Sequence, residues 1–135
     1  MILDSSILVA FERRHFDLER LLADIGPPAI SAVTAAELLI GVERADTAER
    51  RARREAFVQG VFARMPILPF DLPQARLFAA HFARLAALGE LIGDRDLQIA
   101  VTALSHDDSL ATLNTQEFGR VSGLRLIEVA GYTIR

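Results

Sequence analysis

Four short stretches of the chain place a carboxylate or an amide where it could do chemistry. Asp4 follows Met1-Ile2-Leu3, Glu37 closes Thr34-Ala35-Ala36-Glu37, Asp94 and Asp96 flank Arg95, and Asn114 stands three residues before Glu117. Each has an ordinary reading when taken alone. Asp4 or Ser5 suits the N-cap of a helix starting near Ser6, Glu37 the third helical position of a Thr-x-x-Glu capping box, Asp94 an N-cap, and Asp96 a partner for a helix dipole. Taken together they ask for more, because carboxylates gathered at one edge repel one another unless a cation or a proton offsets them. Oxygen-rich clusters suit hard divalent cations such as Mg2+ or Mn2+. The reaction that such sites serve best is phosphoryl transfer to water.

The elements between these residues decide whether they meet. Residues 1–3 form an apolar run too short for a half-exposed strand, and read as a strand buried on both faces of a parallel sheet. Asp4 then lies at that strand's C-terminal end, the edge where open α/β sheets bind ligands. Helical spacing covers residues 7–12 and 16–23, and Gly26-Pro27-Pro28 prevents continuation. A second strand spans residues 29–31. The Thr34 box opens a helix with Leu38, Leu39 and Val42 inward, and a longer helix covers residues 47–64. Residues 66–70 are a strand whose prolines mark an edge or a strand end. Asp71-x-x-Gln74 opens a helix to Leu88 with a core stripe of Ala75, Phe78, Ala79, Phe82, Leu85 and Ala86. Asp94 or Arg95 starts a helix to Leu104, residues 109–112 form a fourth strand, residues 113–118 a loop, and residues 124–129 a fifth strand. No hairpin signal appears, so the connections are crossovers. The expected fold is a three-layer α/β/α sandwich around a central, mainly parallel sheet of four to five strands, one domain over residues 1–135. All the acids then lie on or near one sheet edge.

Bulk composition narrows the classes. Hydrophobic residues at 51% and charged residues at 24% are the balance of a globular domain, not a disordered chain. No apolar run approaches the ~18 residues of a membrane span, and no signal peptide is visible, so the expected location is the cytoplasm. The absence of cysteine excludes disulfides and thiolate metal sites. All 15 basic residues are arginine and the net charge is −3, so a polyanion would need a local basic strip or bound metal. Arg50, Arg51, Arg53 and Arg54 offer such a strip, although a solvated helix face with Glu–Arg pairs is the favoured reading. His15, His81 and His106 lack metal-ligand spacing and receive no catalytic role. Phe57, Phe62, Phe78 and Phe82 read as core or dimer contacts. Ser5 and Ser6 are placed to support Asp4 by hydrogen bonding, while a serine-hydrolase role lacks the Gly-x-Ser-x-Gly context.

Four blocks, Met1-Ile2-Leu3-Asp4-Ser5-Ser6, Ser31 through Gly41 around Thr34 and Glu37, Ile92-Gly93-Asp94-Arg95-Asp96-Leu97, and Thr112-Leu113-Asn114-Thr115-Gln116-Glu117-Phe118, together resemble the signature blocks of PIN-domain ribonucleases. Within that family the resemblance is to VapC-type toxins of bacterial toxin–antitoxin pairs, from residue 1 to about residue 129. It implies Mg2+- or Mn2+-dependent endonucleolytic cleavage of RNA, inhibition by a cognate VapB-type antitoxin, and homodimers or toxin–antitoxin hetero-oligomers. Asp4, Glu37 and Asp96 match the family's first, second and third acids, with Asp4 and Asp96 as metal ligands. At the fourth position many members carry an acid and this chain has Asn114, so Glu117 or water would complete the site, and one or two metal ions remain open. Asp94 has no assigned role. The competing reading is a catalytically silent α/β binding module whose acids are caps; a phosphatase with Asp4 as nucleophile is disfavoured by Ser6, where an acid is needed. The helices at residues 7–23 and 38–62 carry more apolar surface than one packed face requires. There an antitoxin helix is expected to lie, with a basic side chain reaching the Asp4–Asp96 cluster.

Overall fold

The computed structural model describes every residue from Met1 to Arg135. The chain runs through β1 (Ile2–Leu3), α1 (Ser5–Glu12), α2 (Leu18–Ile25), β2 (Ile30–Ser31), α3 (Ala32–Glu43), α4 (Ala48–Arg64), β3 (Ile67–Leu68), α5 (Leu72–Leu88), α6 (Asp94–Ser105), β4 (Leu110–Ala111) and the single turn α7 (Thr115–Phe118), and closes with a 3-10 turn, Ala130–Tyr132. No helix is long and apolar enough to cross a membrane.

Every strand pairing in the centre is parallel. β1 pairs with β4 in the register Ile2 to Leu110, and β2 pairs with β3 in the register Ile30 to Ile67. A bridge from Ile2 to Ala29 joins the two halves, so the strands lie in the order β3-β2-β1-β4. The expected fifth strand over residues 124–129 contracts to one parallel bridge from Leu126 to Leu110. Leu110 donates to the Arg125 carbonyl and Ile127 donates to the Leu110 carbonyl, after which Glu128 Oε1 accepts from the Ala130 N–H and turns the chain into the 3-10 turn.

The period of two along β1 sends its side chains to opposite faces, and both are fully buried. Leu3 joins Ile7, Leu8, Leu21, Leu38 and Val58 under α1 to α4, whereas Ile2 joins Leu85, Leu97, Ile99, Leu110 and Phe118 under α5 to α7. Three layers result, as the alternating apolar strands and helices imply. α6 is buried nearly all round, with Leu97, Ile99, Ala100, Val101, Thr102 and Ala103 inside. It separates α5 from the sheet, and this corrects the expected α5 stripe: only Gln74 and Leu85 are buried, while Ala79, Phe82 and Ala86 are exposed. Of the remaining aromatics, Phe57, Phe62 and Phe78 are half-buried.

Local chemistry moves two helix starts. α1 begins at Ser5, directly after the strand, and α2 begins at Leu18 because Asp17 Oδ1 accepts from the Arg20 N–H. Phe16, expected inside that helix, is instead buried beside an antiparallel bridge to Thr133. The capping box of α5 forms as expected, with Gln74 Oε1 accepting from the Asp71 N–H at 2.8 Å, and Gly89 ends that helix at φ 68°, where a Cβ would be strained.

Candidate active site

β1 delivers Asp4 to the C-terminal edge of the sheet, at the N-cap position of α1, yet its side chain caps nothing. Its Oδ2 accepts from Ser6 Oγ at 2.7 Å and from Thr112 Oγ1 at 2.8 Å, and its Oδ1 from Ser5 Oγ at 3.4 Å. The two closer hydroxyls also accept: Leu113 N–H donates to Ser6 Oγ at 3.0 Å and Asn114 N–H to Thr112 Oγ1 at 2.9 Å. Thr112 follows β4, the neighbour of β1, so strand pairing itself ties the Asn114 loop to Asp4. The carboxylate is 4% exposed and fixed by donors in several directions.

Glu37 is freed by a different cap from the one its spacing suggests. Ser31 caps α3, its Oγ accepting from the Thr34 N–H at 3.0 Å, so the helix starts two residues before Thr34. The Thr34–Glu37 box is therefore corrected. Glu37 falls in the second turn, beyond the orphan N–H groups that a cap would serve. Its Oε1 is buried with no hydrogen-bond partner. Burial raises its pKa above the usual carboxylate value, the Asp4 charge raises it further, and the Arg95 guanidinium and a hydrogen bond from Ser5 oppose both.

α6 is capped at Gly93, so Asp94 is the first helical residue, exposed, and not the cap expected of it. Asp96, two residues on in the same first turn, is half-buried. Burial, then the charges of Asp4, Glu117 and Glu37, then a hydrogen bond with the Glu117 carboxyl push its pKa up to about 6. Asn114 occupies the N-cap position of α7 without capping it, and lines the same hollow of about 460 Å³ as Asp4 and Asp96. The structure thus gathers Asp4, Glu37, Asp96, Asn114 and Glu117 at one edge and leaves Asp94 outside. The account of these acids as caps fails for Asp4, Glu37 and Asp94.

Three neighbours escaped sequence reasoning. Thr112 holds Asp4, and Arg13 and His15 line the hollow. Thr112 becomes visible only once β4 is known to lie beside β1, and His15 carries no spacing signal at all.

The donors fit a hydrated hard cation. No three His, Asp or Glu side chains form a ready-made cage. Mg2+ needs none, since it keeps several waters and takes one or two carboxylates. Asp4 and Asp96 would supply those, and the unpartnered Glu37 oxygen would offer an acceptor to a water of its shell.

A second hollow, about 370 Å³, is apolar and lies between α1, α2 and α4, lined by Phe11, Leu18, Leu22, Phe57, Val61 and Met65. It matches the expected groove except for α3. Leu38 is 7% exposed and belongs to the core, because α3 is wedged beneath α1 and α4.

The family profile described as PIN domain matches residues 1–124. Ribonuclease VapC1 of Rickettsia felis is 35% identical over 130 residues, covering 96% of each chain. A tRNA(fMet)-specific endonuclease VapC of Shigella flexneri is 36% identical over 107 residues, covering 79% of each chain. Among solved structures, VapBC2 from Rickettsia felis bound to a DNA fragment from its promoter superposes with a TM-score of 0.83 at 28% identity, covering 93% of this chain and 96% of that one.

Proposed function

The chain belongs to the PIN-domain family, and from that premise we propose that it is a metal-dependent endoribonuclease, the toxin of a VapBC-type pair, acting in the cytoplasm on RNA. The observation that carries this reading is the convergence of three carboxylates, Asp4, Glu117 and Glu37, on Asp96, where burial first and their repulsion second push its pKa up to about 6. Asp4 and Asp96 hold Mg2+, or Mn2+ in its place. Bound there, the cation supplies charge neutralisation at the phosphate and a more acidic water.

The chain's own groups do the rest. Ser6 and Thr112 hold Asp4 Oδ2 and Ser5 reaches Oδ1, so the carboxylate keeps its aim through a turnover. Glu37 accepts a hydrogen bond from the attacking water through its free oxygen. Asn114, neutral where an acid would repel the substrate, offers its amide to a phosphate oxygen, and Glu117 shares the proton economy of Asp96. Water adds to phosphorus, the bond to the 3′ oxygen breaks, and the products are a 5′-phosphate and a 3′-hydroxyl. Replacing Asp4 or Asp96 with Asn should abolish Mg2+-stimulated RNA cleavage with the far-UV CD spectrum intact; cleavage retained in both variants refutes the assignment.

The partner is a cognate VapB-type antitoxin. Its amphipathic helix fits the apolar hollow between α1, α2 and α4, and a basic side chain beyond it reaches the acids, which supply the attraction. The uncovered apolar side chains of α5, Phe82 and Leu88, suit a homodimer contact. Sedimentation of the antitoxin-free protein tests that contact: a dimer that Phe82→Glu dissociates supports it, and a monomeric wild-type protein removes it.

A further inference from the structure

The four arginines at the start of α4 do not behave alike. Arg50 pairs with Asp46 at 2.8 Å and Arg51 with Glu43 at 2.9 Å, so these two belong to the solvated face that the sequence suggests. Arg54 turns the other way. Its Nη1 donates to the Gly41 carbonyl at 2.8 Å, which fixes the guanidinium over α3 while leaving most of its five donors free. It shares a hollow of about 340 Å³ with Arg44 from the end of α3 and Arg95 from α6. None of the three forms an ion pair.

Three guanidinium groups from three helices therefore face one cavity in a chain whose net charge is −3. The single carboxylate on its wall is Glu37. Three cations against one carboxylate, with Arg54 held in place by the Gly41 carbonyl, call for an anion from outside, and the fork of arginine matches phosphate. The cavity also adjoins the acids: Ser5 and Val9 line both hollows, and Glu37 feels the charges of both Asp4 and Arg95.

We propose that the Arg44–Arg54–Arg95 hollow is a backbone subsite that holds an RNA phosphodiester next to the one that is cut, with Arg54 as its principal positioning residue. This rests on the ribonuclease reading above. The subsite gives a net acidic protein a local foothold on a polyanion and sets which way the strand crosses the acids. Arg54 touches no reacting atom, so its loss weakens substrate capture more than the chemical step.

The test uses the antitoxin-free protein and a fluorescent single-stranded RNA transcript, with kcat and KM measured across a range of salt. Arg54→Ala should raise KM about tenfold with kcat within about twofold, since a charge-assisted contact is lost from binding alone. The slope of log kcat/KM against log salt should flatten by about 0.7, the share of one phosphate on a single strand. Arg54→Lys should recover part of both, and Arg50→Ala on the same helix should change neither. A purely structural role through Gly41 would lower the melting temperature without altering the salt slope. Should Arg54→Ala fail to fold, Arg44→Ala is read the same way. Wild-type KM and slope in the variant, or an equal effect from Arg50→Ala, overturn the subsite while leaving the nuclease standing; a wild-type protein that neither binds nor cuts RNA overturns both.

Discussion

If Asp96 holds a divalent cation as proposed, a proton competes with that cation for its oxygens. With its pKa raised from 3.8 to about 6, the carboxyl is mostly protonated at pH 5 and mostly charged at pH 7. Cleavage at subsaturating Mg2+ should therefore fall by about tenfold per pH unit below about 6, a single-proton dependence that excess Mn2+ shifts to lower pH. Stability carries the opposite sign from that of a salt-bridged carboxylate. The native state binds this proton more tightly than the unfolded chain, so without metal the Asp96 contribution is favourable near pH 4 and is lost as pH rises through about 6. Melting curves of the wild type and Asp96→Asn between pH 4.5 and 7.5 check this: the wild type should lose ground to the variant as pH rises, and a constant difference would contradict it. The acids themselves were legible because carboxylates at strand ends and helix starts stand out in sequence. Thr112 was not, because a hydroxyl acquires meaning only from the strand beside it.

At the scale of elements, helix starts decided which acids were free. Two candidates competed for the start of α3, Ser31 and Thr34, and Ser31 wins because it lies at the end of β2 in extended conformation, with Thr34 already placed to receive its cap. Ser31→Ala should cost ~1 kcal/mol in urea denaturation, the ordinary worth of an N-cap. Glu37→Gln distinguishes the two caps more sharply. If Glu37 closed a box, the variant would be no more stable than wild type; as a half-buried, like-charge-crowded side chain with one unpartnered oxygen, it should melt higher without metal and cleave RNA at least tenfold more slowly. The helices were well read from periodicity and from Pro, Gly and Asp punctuation. The α5 stripe was overdrawn because periodicity reports an apolar face and not what covers it, and α6 rather than α5 lies against the sheet. The last strand was overdrawn because its alternation ends in the 3-10 turn after one bridge.

Over the whole molecule, one edge of the sheet carries the acids while the apolar groove lies between helices on one face. That separation lets partner binding and catalysis be altered one at a time. Phe57→Glu, at a half-buried position in the groove, should weaken antitoxin binding by at least tenfold in calorimetry and leave RNA cleavage by the free protein within about twofold, since it removes an apolar contact and adds an unpaired charge. Undiminished antitoxin affinity would move the partner elsewhere. Leu38→Glu cannot serve this purpose, because a charge at a core position unfolds the domain. The three-layer architecture was legible from apolar runs alternating with helices and from the absence of hairpin signals, but strand order was not, since strands of two residues carry no pairing code. The central claim, that this edge hydrolyses RNA with the help of a divalent cation, is tested most directly by the termini of the products. Antitoxin-free protein incubated with RNA and Mg2+ should leave 5′-phosphate and 3′-hydroxyl ends and should stop cutting in EDTA; cleavage that persists in EDTA, or ends bearing a 2′,3′-cyclic phosphate, would contradict it.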